Sequence, residues 1–134
     1  MKADRIFETI LYADDLAAAK AFYEEVLGMT VILETDLFMT FRLSWSVLLI
    51  FDPKKSVEAG RSVPAHGAIG EGHVAFAASD GEIDEWKAHF DKHSIPIDQI
   101  VEWEQGGRSL YVRDPAGNSV EFAPSTLWDG DWDF

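Results

Sequence analysis

The sequence contains no cysteine, which excludes disulfide bonds, thiolate nucleophiles and Cys-type zinc sites. It is also poor in positive charge: 11 Lys and Arg stand against 24 Asp and Glu, a formal net charge of −13. A surface that acidic repels phosphate backbones and anionic lipids, so neither nucleic acid nor membrane is expected as a partner. The acidity otherwise serves solvation and carries little information about substrate. Long apolar runs are missing too. The longest, Val47 to Phe51 and Val74 to Ala78, are strand length and far short of a membrane span. Met1-Lys2-Ala3-Asp4 lacks the apolar stretch of a signal peptide, and a cytoplasmic location is expected. What remains is an ordinary globular mixture, 47% hydrophobic and 26% charged, in a chain of 134 residues. That length buries the core of one domain without covalent staples.

Internal repetition organises the chain. Phe7 to Asp15 reads as a strand running into a helix cap, and Gly72 to Asp80 reads the same way 65 residues later. Each Asp, Asp15 and Asp80, is expected to cap a helix N-terminus through its carboxylate. After Asp15 the apolar positions Leu16, Ala19, Phe22, Tyr23, Val26 and Leu27 fall at helical spacing, and Gly28 closes the helix. After Asp80 they are Ile83, Trp86 and Phe90. Three strands are predicted behind each helix, near residues 30–34, 38–43 and 47–51 and near 97–103, 109–113 and 119–123. Gly106-Gly107 and Asp114-Pro115-Ala116-Gly117 supply turns. The last strands align Leu49-Ile50-Phe51 with Val120-Glu121-Phe122, which makes Ile50 the counterpart of Glu121. The predicted class is α+β: two tandem βαβββ modules forming a curved mixed sheet around a central cavity. Module one spans about 6–53 and a Gly/Pro/Ser-rich linker 54–71. Module two spans about 72–124, followed by a short aromatic tail, 125–134, all in one domain.

Strand alternation sorts the residues onto two faces. Val120 and Phe122 oppose Ser119, Glu121 and Ala123, while Val74 and Phe76 oppose His73, Ala75 and Ala77. The bulky sets suit packing beneath helices, and the small sets leave room around one ionisable group each. Glu8 shares a strand face with Ile6, Ile10 and Tyr12, where a carboxylate is costly to bury without compensation. Glu8 and His73 hold equivalent places in the repeat, so twofold packing would bring them together, with Glu121 on a strand beside His73. Three donors with open positions suit a catalytic divalent ion. The bland alternatives are a strand-end carboxylate held by Lys or Arg, an interior histidine, and a salt-bridged strand residue.

The strand–helix opening from Glu8 to Gly28, the Gly72-His73 strand and the run Asp114 to Glu121 resemble the vicinal oxygen chelate superfamily. That superfamily includes glyoxalase I, extradiol dioxygenases, fosfomycin-resistance enzymes and bleomycin-binding proteins. The resemblance covers about Ile6 to Pro124. It implies metal ligands at Glu8, His73 and Glu121, with Ile50 as a lost fourth position. Two carboxylates and one imidazole form a harder site than two imidazoles and a carboxylate, which shifts preference toward Mn²⁺ or Mg²⁺ over Zn²⁺ or Fe²⁺.

Other candidates carry less. His66, among small residues ahead of His73, is a candidate acid or base beside Glu121, or a plain loop histidine. Ser109, Tyr111 and Arg113 alternate on one strand face. A similar Ser-Leu-Tyr run contributes substrate contacts in fosfomycin-resistance enzymes. Trp103 and Trp45 are candidates for pocket lining or core. His89 and His93, with Glu85 one turn earlier, lie off the apolar stripe and are assigned to a solvated helix face. The function expected is a glyoxalase-like, divalent-metal-dependent lyase or isomerase. It would act on a small oxygen-rich substrate by chelation and proton transfer, as a homodimer that covers its sheet edges. The alternatives are a metal-free protein that binds an antibiotic-like molecule, of the bleomycin-resistance kind, and a fosfomycin-resistance-type transferase.

Overall fold

Each half of the sequence folds into a four-stranded mixed sheet with a helix between its first two strands. In the computed structural model of the chain, residues 2–128 are described. The chain divides into two units, Met1–Gly72 and His73–Phe134. In the first, β1 (Glu8–Tyr12) leads to α1 (Leu16–Lys20), then β2 (Thr30–Glu34), β3 (Phe38–Arg42), β4 (Val47–Phe51) and a one-turn α2 (Pro53–Ser56). The strand order is β1-β4-β3-β2, with β1 parallel to β4 and the remaining pairs antiparallel. In the second, β5 (His73–Ala77) leads to α3 (Asp80–Lys92), then β6 (Ile97–Glu102), β7 (Arg108–Arg113) and β8 (Ser119–Ala123). Its order, β5-β8-β7-β6, repeats the first, again with one parallel pair. Even the irregularities recur. β2 shifts register between Val31 and Leu33, and β6 between Ile97 and Gln99. The architecture is α+β, as the repeat predicts.

The two helices depart from expectation in different ways. Asp15 caps α1 as predicted, its side chain accepting from the Ala18 N–H at 3.0 Å. After Lys20, however, the helix widens into a π-helical segment, Ala21–Val26, in which the Leu27 N–H reaches back five residues to the Phe22 carbonyl. The wider turn lets adjacent Phe22 and Tyr23 both bury, their rings edge to face at 5.1 Å. Gly28 then ends the segment at φ +67°, a conformation that suits glycine. For α3 the cap is Ser79 and not Asp80. Glu82, three residues on, takes both the Ser79 N–H at 2.7 Å and the Ser79 hydroxyl at 2.6 Å. Those bonds hold the Glu82 carboxyl below its usual range. Asp80, freed from capping, pairs with Arg108 of β7 at 3.0 Å.

The helix-facing sides are apolar. Ile83 and Phe90 of α3 are buried, and Trp86 and Phe90 pack on Phe122 of β8 with ring centroids 4.3 and 5.6 Å apart. In the first unit Phe41, Leu48, Ile50 and Tyr23 form the corresponding core. Among the described residues no helix is long and apolar enough to cross a membrane. The aromatic tail expected over 125–134 is described only to Trp128. Trp132 and Phe134 lie outside the described residues.

Candidate functional site

The parallel pairing of β5 with β8 sets His73 opposite Ser119 and Ala75 opposite Glu121. Antiparallel pairing of β7 with β8 sets Tyr111 opposite Glu121. Three polar side chains therefore rise from the sheet face away from α3. Glu121 is only 4% exposed, so its carboxylate needs partners where it stands. One oxygen, Oε1, accepts from the Tyr111 hydroxyl at 2.7 Å. The other, Oε2, lies 3.2 Å from His73 Nε2.

The orientation of His73 gives that last contact its meaning. Nδ1 lies 3.2 Å from the Ser119 carbonyl. A carbonyl only accepts, so Nδ1 carries the hydrogen. In the neutral ring Nε2 is then a bare lone pair, and it faces a carboxylate. Such an arrangement calls for a cation, a proton or a metal ion, between the two atoms. Donors held about 2.1 Å from one ion stand roughly 3.0 Å apart at right angles and about 3.4 Å apart at the tetrahedral angle, which brackets the observed separation. Tyr111 supplies the outer hydrogen bond that fixes a ligating carboxylate. The pair fits a divalent ion; among the described residues no cluster of three or more His, Asp or Glu side chains is assembled around it.

The Tyr111 hydroxyl is pushed up to about 12, first by burial and then by the hydrogen bond and charge of Glu121. A phenol raised above its ordinary value near 10 contributes stability that is whole below pH ~10 and disappears as pH climbs through ~12. Phenolate absorbance of the native protein and of Tyr111→Phe should therefore differ in a step near pH ~12. A step near pH ~10 would show that Glu121 does not hold the phenol in solution.

The other residues expected at the site have partners of their own. Trp103 Nε1 donates to the Ser109 hydroxyl at 2.8 Å. Arg113 pairs with Asp98 at 2.9 Å and donates to the Gly117 carbonyl at 3.1 Å. Trp45 sits in the turn between β3 and β4 at 94% exposure, in neither a core nor a pocket wall. His89 is half-buried, not solvated: its ring lies edge-on to Trp86 at 5.6 Å and 4.5 Å from that of His93.

In the first unit Glu8 opens β1, exposed, and no Lys or Arg pairs with it among the described residues. It corresponds to His73 as predicted, since each begins the strand that runs parallel to the last strand of its sheet. The counterpart of Glu121 is corrected. Glu8 pairs with Val47 and His73 with Ser119, so the last strands differ by 72 residues and Glu121 corresponds to Leu49. Aligning Phe51 with Phe122 followed side-chain likeness, whereas the hydrogen-bond ladder places Phe51 with Ala123. His66 is bonded through Nδ1 to the Tyr12 hydroxyl at 2.8 Å. Tyr12 ends β1, the strand that Glu8 opens, and this bond seats His66 at that end of the strand. Tyr12 is the residue that sequence reasoning passed over here. Its place on the Glu8 strand face was the available signal.

Residues 5–122 match the Glyoxalase/Bleomycin resistance protein/Dioxygenase superfamily. A crystal structure of lactoylglutathione lyase from Agrobacterium tumefaciens is similar at 43% identity and TM-score 0.92, covering 97% of this chain and 100% of that one. The uncharacterized protein YaeR of Escherichia coli K12 is 29% identical over 125 residues, 87% of this chain and 93% of its own. A glyoxalase/bleomycin resistance protein/dioxygenase from Nocardioides shares the fold at 23% identity and TM-score 0.77, covering 99% of this chain and 92% of that one.

Proposed function

The chain belongs to the Glyoxalase/Bleomycin resistance protein/Dioxygenase superfamily, and on that premise we propose that it is a divalent-metal-dependent lyase or isomerase of glyoxalase type. The observation that carries this reading is the 3.2 Å approach of His73 Nε2 to Glu121 Oε2, with each partner oriented from behind by Ser119 or Tyr111. His73 and Glu121 hold the ion, and Glu8, the repeat counterpart of His73, is the third ligand. When bound there, a divalent ion (Mn²⁺, Mg²⁺, Zn²⁺ or Fe²⁺) would supply Lewis-acid stabilisation of negative charge on substrate oxygens. The Glu121 carboxylate is also the group that moves the proton, and the Tyr111 hydroxyl on Oε1 keeps it in place. Ser109, Tyr111, Trp103 and Arg113 form the substrate side of the site. Residues 1–134 act as one domain, in a cytoplasmic homodimer.

The substrate is a small oxygen-rich molecule, and lactoylglutathione, from the similar lyase, is the first to test. Purified protein should contain one divalent ion per chain and turn over lactoylglutathione, and a chelator should remove both properties. Metal without turnover would exclude that substrate and retain the metalloenzyme.

A metal-free binding protein for an antibiotic-like molecule is the second reading. It is favoured by the assembly of only two donors among the described residues. Protein that takes up no ion at saturating Mn²⁺, Mg²⁺ and Zn²⁺ would establish it over the first.

A further inference from the structure

Among the described residues three arginines stand on strands. Arg108 pairs with Asp80 and Asp84 of α3, and Arg113 pairs with Asp98 of β6. Arg42, the last residue of β3, is exposed and has no hydrogen bond or ion pair among the described residues. Strand pairing fixes where it stands. β3 sets Arg42 against Val47 of β4, and β1 sets Glu8 against the same Val47. Residues opposite one another across a ladder share a face, so Glu8, Val47 and Arg42 form one row. In the next row Leu48 and Phe41 are fully buried, and Phe41 meets Tyr23 of the π-helical segment. The Glu8 row therefore lies on the face away from the helix. Two strand spacings, about 10 Å, separate the Cα atoms of Glu8 and Arg42.

The repeat gives the lone guanidinium a standard of comparison. In the second unit Ser119 stands between His73 and Arg113 as Val47 stands between Glu8 and Arg42. Arg113 is thus the counterpart of Arg42, and its partner Asp98 sits in the register shift of β6. The matching shift of β2 holds Ile32. An aliphatic side chain has taken the place of the carboxylate, and the five N–H donors of Arg42 are left open. Carboxylates are plentiful, 24 against 11 Lys and Arg, so the missing partner is a property of this position.

We propose that Arg42 is a specificity-determining residue that receives a carboxylate of the substrate. The inference rests on the metalloenzyme reading and narrows its substrate class to acids whose carboxylate lies a few bonds from the oxygens that meet the ion. Glu8, assigned to the ion, has its charge met there and does not draw Arg42 away. The guanidinium fork matches both oxygens of a carboxylate. Val47, half-buried between the two, is an apolar floor for the intervening carbons. The row carries one cation, which balances a monoanionic group.

The test uses the full chain loaded with whichever of Mn²⁺, Mg²⁺ and Zn²⁺ it binds tightest, its metal content measured first. Calorimetry then compares 2-oxoglutarate with 2-oxopentanoate, which share vicinal oxygens and chain length and differ in the distal carboxylate. 2-Oxoglutarate should bind about tenfold tighter. Arg42→Met should abolish that preference without changing the affinity for 2-oxopentanoate, and Arg42→Lys should keep part of it. Ile32→Asp, which gives Arg42 the partner that Arg113 has, should abolish it as well. Lys92→Met, which removes an exposed cation from α3, should preserve it. Equal binding of the two acids by the native protein would overturn the proposal and leave the metal site standing. So would a preference that survives Arg42→Met or Ile32→Asp, or an equal loss in Lys92→Met. A chain that takes up none of the three ions would overturn the metalloenzyme reading and this proposal with it.

Discussion

His73→Ala and Glu121→Ala should each lower the affinity for Mn²⁺ or Zn²⁺ by more than about a hundredfold, because outer-sphere partners alone are worth about 10–100-fold. Each change removes one of two donors that already stand at ligand separation, 3.2 Å. Glu121→Ala does further harm, since it strips the Tyr111 hydroxyl of its acceptor in a half-buried place. Glu8→Ala should reduce binding comparably if the repeat assigns the third ligand correctly. Tyr111→Phe retains all three proposed ligands and frees only the Glu121 side chain, for a loss of about tenfold. His89→Ala should leave binding unchanged, because that ring packs on Trp86 and faces His93. Equilibrium dialysis with metal analysis separates these outcomes. Loss of the ion in His89→Ala alone would place the metal on α3, and full retention in Glu8→Ala would remove that residue from the ligand set.

The sheet was legible because periodicity records which face of a strand is buried, and both copies record it alike. Val120 and Phe122 against Glu121, or Val74 and Phe76 against His73, suffice to orient β8 and β5. The repeat made Glu8 the counterpart of His73 because strand and helix cap keep one spacing in both halves. The misalignment of Ile50 with Glu121 shows where such reading stops. A one-residue register is set by backbone pairing, and a shared Phe outweighed it in sequence. The cap of α3 was misplaced for a related reason: Ser79 and Asp80 are both good N-caps, and only the reach of Glu82 back to Ser79 distinguishes them. The π-helical widening after Lys20 has no local marker beyond the adjacent bulky pair Phe22-Tyr23. The partner of Tyr111, and that of His66, depend on which side chains meet across strands and loops. That information is tertiary and cannot be taken from spacing.

Asp114→Ala should destabilise the protein by about 3 kcal/mol, the largest single-residue effect expected on the strand that carries Glu121. Asp114 is buried in the Asp-Pro-Ala-Gly turn between β7 and β8. Its Oδ1 accepts from the Ala116 N–H at 2.9 Å and the Asn118 N–H at 2.8 Å, and its Oδ2 accepts from Asn118 Nδ2 at 2.9 Å. The backbone closes around the same residue: the Gly117 N–H bonds the Asp114 carbonyl, and the Asp114 N–H bonds the Asn118 carbonyl. Gly117, at φ +86°, makes that reversal. With the carboxylate gone, donors on the buried Asn118 lose their acceptors where water does not easily replace them, each at about 1–3 kcal/mol. Asp114→Asn keeps an oxygen for the two backbone N–H groups and should cost only about 1 kcal/mol. Ser119 follows Asn118 directly and provides the carbonyl that orients His73, so a loosened turn also releases Nδ1. Metal affinity should accordingly fall further in Asp114→Ala than in Asp114→Asn, at temperatures where both remain folded. Chemical denaturation and metal titration of the two variants check both orders. Equal stability of Asp114→Ala and Asp114→Asn would mean that the carboxylate does not organise the turn, and equal metal affinity would mean that the turn does not hold the site.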